Sequence, residues 1–213
     1  MSATPAIASA ALYRRVVSRL AAWCQSAENA WWVADAGRRF FQWEERYRPE
    51  ERAWLLPHFV VWLLHEYRGP DGDTAARRLL EAPDAVQAVD ERDALRALDA
   101  GVGDPAALDR FRLVEVTGHG AGAALRLRDL LSLETFDVRD LDVGAATDTG
   151  AVALVRWIPS QEGLLLVSAV ALRPSQQDVF LAQLASLGAD LRGEAPEMSA
   201  GEVLRRRLPT LLH

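Results

Sequence analysis

Six of the seven tryptophans, Trp23, Trp31, Trp32, Trp43, Trp54 and Trp62, fall within the first 62 residues, and Trp157 stands apart from them. Around the six, apolar residues recur at the three-to-four-residue spacing of helices; beyond Pro105 the spacing shortens toward two. A chain whose period changes in this way has to build two kinds of layer. The expected fold class is α+β. Residues 1–104 form a helical region; residues 105–213 form a small SH3-like, mostly antiparallel β-barrel or curled sheet with C-terminal helices, the two parts packing as one unit.

Local signals divide each part further. Thr4 before Pro5 reads as a helix start, and Ile7, Leu12, Val16, Leu20 and Trp23 then keep helical spacing, giving a helix over roughly residues 5–25. A second apolar face runs from Trp31 to Trp43, with Gly37 as its weak point. A third helix begins near Pro49 with Glu50 and Glu51 in its first turn, and Pro57 is expected to kink or split it. After the Gly69-Pro70-Asp71-Gly72 turn, Asp73 or Thr74 caps a short helix. Asp84 with Gln87 makes a capping-box variant for another, which Gly101 closes.

In the second part, residues 111–116 and the Leu/Arg alternation at 125–128 read as strands joined by a tip at Gly118-His119-Gly120. Thr135 to Leu141, Ala151 to Ile158 and Leu164 to Leu172 supply three more. Pro174 opens a helix ending near Gly188, and Ser199 with Glu202 starts a last one bearing Arg205, Arg206 and Arg207.

Charge narrows the function. All 24 basic residues are arginine, and the formal net charge is −6. Residues 1–110 hold 14 arginines against 17 acids and residues 111–213 hold 10 against 13, so neither part reads as a polyanion-binding domain. No apolar run reaches membrane-spanning length, and the opening residues lack the basic cluster of a secretory signal. The expected location is the cytoplasm, away from membranes. Cys24, the single cysteine, reads as a buried thiol.

Phe59-Val60-Val61-Trp62-Leu63-Leu64-His65-Glu66-Tyr67-Arg68, followed by a Gly-Pro turn and Thr74 to Leu80, resembles a segment of bacterial SEC-C motif-associated proteins. Val114-Glu115-Val116, Leu127-Arg128-Asp129-Leu130-Leu131 and Val155-Arg156-Trp157-Ile158-Pro159 fit the same layout, so the resemblance covers roughly residues 35–175. It implies helices ahead of a small strand-rich region, and binding rather than catalysis. The cysteine- and histidine-rich zinc-binding tail that often closes such proteins has no counterpart in Arg205-Arg206-Arg207-Leu208-Pro209, so zinc is not carried over.

Candidate chemistry is sparse. His58 and His65 lie two helical turns, about 10 Å, apart, too far to share one metal. His65 and Glu66 are adjacent and do not face each other on a helix. Together His58, His65 and Glu66 define an alternative reading, an enzyme or small-molecule binder with a site between the two parts. Asp137, Asp140 and Asp142 read as a solvated turn, and Arg205 to Arg207 as a solvated helix end. The aromatic set reads mainly as core, but Trp43, Trp54 and Trp62 with Arg46 and Arg68 would suit a groove for a partner. His119, at a loop tip, is the most exposed contact candidate. The leading reading is a non-enzymatic interaction module binding a protein or peptide, with no metal or cofactor and with self-association left open.

Overall fold

The structure, a computed structural model, describes residues 7–41, 49–82, 88–102, 111–120, 124–130, 132–140, 148–172, 177–178, 182 and 186. It is α+β. Five helices, α1 (Ala10–Cys24), α2 (Ala30–Phe41), α3 (Pro49–His65), α4 (Ala75–Glu81) and α5 (Val89–Gly101), precede five strands. These are β1 (Phe111–His119), β2 (Ala124–Asp129), β3 (Thr135–Asp140), β4 (Val152–Ser160) and β5 (Gly163–Ala171). The chain divides into two compact units, residues 1–104 with 158–165, and residues 105–157 with 166–213.

In the helical unit α1 starts later than the Thr4-Pro5 signal suggests. Ile7 lies in an extended β-bridge with Ser160, and the cap is Ser9, whose Oγ accepts a hydrogen bond from Leu12 N at 3.2 Å. That places Leu12, Tyr13, Val16 and Leu20 on one buried face. Helix α2 continues through Gly37, and α3 runs through Pro57 as a single helix, so neither residue splits its element. Thr74 caps α4 through Arg77 N at 3.0 Å. The Asp84/Gln87 box lies outside the described residues, and α5 opens at Ala88 without a side-chain cap.

Helix α5 packs against α1 and α4. The α1 contact includes buried Glu91, whose carboxylate meets Arg15 Nε at 3.0 Å and Arg19 Nε at 3.5 Å. Two cations at one buried acid offset its desolvation.

The strands close into a barrel in the order β1-β2-β3-β5-β4. β1 is antiparallel to β2 and to β4, and β2 to β3. Because β4 turns tightly into β5, β3 and β5 run in the same direction. The small barrel anticipated from strand spacing thus has Greek-key connectivity, β4 returning beside β1. Register places Val114, Val116, Leu125, Leu127, Phe136, Val138, Ala153, Val155 and Trp157 on the inner face. Phe136 and Trp157 meet there with ring centroids 4.9 Å apart. Leu113, Leu154 and Arg156 point the other way and are buried too, so β4 is covered on both faces, which explains its continuous apolar run. The helix expected from Pro174 is described only at isolated positions, and the one after Ser199 lies outside the described residues.

Candidate interaction site

Two adjacent tryptophans on one helix point in directions about 100° apart, so a single buried face cannot take both. In α2 Trp32 is fully buried, 0% exposed, while Trp31 is 53% exposed. Trp32 stands edge-on to Trp23 and Tyr67, with centroids 5.3 and 4.7 Å away. Its Nε1 makes no hydrogen bond among the described residues; the indole contributes by packing.

The 68–74 turn closes over that ring. Arg68 and Thr74 form a β-bridge, Gly69 N donates to Asp73 O at 2.8 Å, and Gly72 N donates to Gly69 O at 2.9 Å. Gly72 has φ +85°, the left-handed region that favours glycine. Asp71 accepts from Asp73 N at 3.2 Å and is also paired with Arg78. The Arg78 guanidinium lies 5.3 Å from the Trp31 ring centroid and 5.7 Å from that of Trp32. It therefore links an exposed ring to a buried one while Asp71 pins it from the turn. An aromatic surface fixed in this way loses little rotamer freedom when a partner covers it.

A second polar contact anchors the other side of the cluster. Tyr67 Oη donates to Asp35 Oδ2 at 2.6 Å, and Arg39 Nε meets the same carboxylate at 2.9 Å. The Tyr67 hydrogen bond, then the Arg39 charge, hold the Asp35 carboxyl below its ordinary range despite partial desolvation. Burial and the Asp35 carboxylate push the Tyr67 hydroxyl well up. Cys24 is half-buried rather than fully buried, and that burial raises its thiol to about 11, which disfavours the thiolate.

Of the groove and contact residues singled out from sequence, Trp62, Arg68 and His119 have described side chains. Trp43 and Arg46 lie outside the described residues, as does the side chain of Trp54. Trp62 is half-buried, its ring 5.2 Å from Phe40, 6.2 Å from Phe59 and 5.0 Å from Tyr67; it packs within the cluster. Arg68 donates to Val102 O at 3.1 Å and Gly72 O at 3.4 Å, fastening the turn to the end of α5. His119 is exposed at the end of β1, opposite Leu125.

His58 and His65 are both buried. His65 Nε2 is 3.0 Å from Tyr13 Oη, and the rings stack at 5.9 Å. A phenol on α1 is thus one partner of His65, and Glu66 follows the end of α3 half-buried. Among the described residues no three His, Cys, Asp or Glu side chains cluster to hold a metal. Among them, too, no helix is long and apolar enough to cross a membrane.

The barrel contributes buried charge. Asp129, 0% exposed, meets Arg112 Nε at 3.4 Å. It also organises the β2–β3 turn: Oδ1 accepts from Ser132 N at 3.0 Å, its carbonyl accepts from Leu133 N at 2.9 Å, and its N–H donates to Glu134 O at 2.9 Å. Five-stranded Greek-key barrels that bind oligonucleotides use the β2–β3 face. Here the outward side of β2 and β3 carries Arg126, Arg128 and Arg139 with Asp137; Arg126 pairs with Asp137 at 3.0 Å, and Arg128 pairs with Glu115 of β1. The one described aromatic on these two strands, Phe136, points inward.

No protein-family model matches this chain, and no curated protein or solved structure is detectably similar to it. Trp31, Arg78 and Asp71 were absent from the candidates read from sequence; the signal for them was the Trp31-Trp32 doublet, which forces one ring off the buried face.

Proposed function

We propose that the chain is a non-enzymatic cytoplasmic interaction module that binds a protein or peptide partner, with Trp31 at the centre of the contact and Arg78 beneath it. The observation that carries this reading is the exposure of an indole whose position is fixed by a guanidinium that is itself pinned by Asp71. Tryptophan and arginine are the side chains that most often dominate binding energy at protein interfaces. The surrounding polar groups support the reading: Asp35, Tyr67, Asp71 and Arg78 all serve the packing of the aromatic cluster.

The likeness to SEC-C-associated proteins belongs to the same proposal. Asp129, Arg156 and Trp157, which carry part of it, are buried residues of the barrel, which supports reading the likeness as one of architecture. The test is native mass spectrometry of the full chain isolated gently from its own host. A stoichiometric protein partner supports the module; a bound small molecule or metal with no protein partner overturns it.

A further inference from the structure

Among the described residues, β1 pairs with β4 from Glu115 opposite Val152 to Phe111 opposite Arg156. β4 continues to Ser160 before turning through Gln161 and Glu162 into β5. The far edge of that extension, away from β5, is met among the described residues by Ile7, in a parallel bridge to Ser160. Gln161 N donates to Ile7 O at 3.1 Å, and the Ile7 side chain is buried. Ala10 N approaches Glu162 Oε2 at 3.5 Å, and Ser9 between them caps α1.

A strand edge takes up an extended segment through its backbone groups; Pro159 has no N–H, and the donor that Ile7 uses here is Gln161 N. Ile7 departs from helical geometry although its sequence neighbourhood favours a helix. What it gains is an apolar seat and a backbone hydrogen bond at this edge. We infer that residues 158–160 of β4 form a strand-acceptor site, occupied in cis by the chain's own segment at Ile7. The ligand chemistry is an extended peptide with a branched apolar side chain in the Ile7 seat and a carbonyl facing Gln161 N–H. This surface is separate from the Trp31 contact and does not depend on it.

The test supplies the segment in trans. A fluorescent peptide of residues 4–12 is titrated against full-length wild type, Ile7→Asp, and Ile7→Asp with Gln161→Pro, which removes the donor at a turn position that accepts proline. Losing the buried isoleucine in cis should let Ile7→Asp bind the peptide roughly tenfold tighter than wild type does, and the added Gln161→Pro should abolish the gain. An Ile7→Cys/Ser160→Cys variant keeps the test available if Ile7→Asp does not fold: its oxidised form should exclude the peptide and its reduced form admit it. The proposal is overturned if folded Ile7→Asp shows no saturable binding, if Gln161→Pro leaves binding unchanged, or if the oxidised and reduced forms bind equally.

Discussion

The Cβ that Gly69 lacks would lie 2.1 Å from Nε1 of the buried Trp32 ring and 2.8 Å from Asp71 Oδ1. Without a Cβ, Gly69 lets the 68–74 turn approach the indole while Asp71 reaches Arg78. Gly69→Ala should destabilise the chain by about 1–3 kcal/mol, because neither a buried ring nor the turn backbone can yield cheaply. Urea unfolding measures this. A loss below about 0.5 kcal/mol would mean that the turn is free to lift.

Leu133 poses the opposite case. It sits at φ +64° and is 70% exposed, held there by the bonds that Asp129 makes to the β2–β3 turn. A left-handed leucine costs roughly 1–2 kcal/mol, and glycine returns part of that through its freer unfolded chain. Leu133→Gly should raise stability by about 0.5–1 kcal/mol, seen as a higher Tm. A lower Tm would show that the side chain is packed.

Asp129→Ala removes the acceptor of Ser132 N from the turn, whose backbone bonds remain, and takes this carboxylate from Arg112. The expected cost is roughly 3 kcal/mol, with Asp129→Asn intermediate because its amide oxygen still accepts from Ser132 N. Equal stability of the alanine variant and wild type would remove the buried ion pair from the barrel's support.

The Asp35 and Tyr67 pair predicts a stability profile with two shoulders. Asp35 has its folded pKa below the ordinary 3.8, so its contribution is complete above that value and is lost as the pH falls through the lowered folded pKa. Tyr67 has its folded pKa raised above the ordinary 10. Its contribution is complete below pH 10 and is lost as the pH rises toward the raised value. Tyr67→Phe should erase the alkaline shoulder and weaken the acid one, because the hydroxyl is the first cause of the Asp35 shift. Chemical denaturation at stepped pH resolves both. An unchanged alkaline shoulder in Tyr67→Phe would assign it to another group.

Much of the architecture was legible because its causes are local. Thr74 ahead of Ala75, the glycine-rich turn before it, and the Leu/Arg alternation of β2 each fix an element from within a few residues. The first helix was misplaced at its start because Thr4-Pro5 is a sound local cap, whereas the bridge that holds Ile7 extended comes from Ser160, 153 residues away. The parallel β3–β5 neighbours were hidden for the same reason: alternation tells a strand which face is inner, but not which strand lies beside it. The aromatic region was legible, but not that Trp31 is exposed among its described members. Of the groove residues expected from sequence, Trp62 packs against Phe40 and Tyr67 and Arg68 fastens the turn to Val102 O, while Trp43, Arg46 and the Trp54 side chain lie outside the described residues. Trp31 is exposed only because Trp32 takes the buried direction, a distinction that depends on where Tyr67 and the turn at Gly69 close.

The exposed indole itself is tested by isolating wild type and Trp31→Ala side by side from the same host. Removing a half-exposed ring and its cation–π contact should cost about 1 kcal/mol of stability or less, so both chains melt alike. Native mass spectrometry should then show a stoichiometric protein partner on wild type and its loss from Trp31→Ala, as for a hot-spot residue whose removal weakens binding roughly thirtyfold or more. A partner retained undiminished by a folded Trp31→Ala chain would contradict the assignment of this surface.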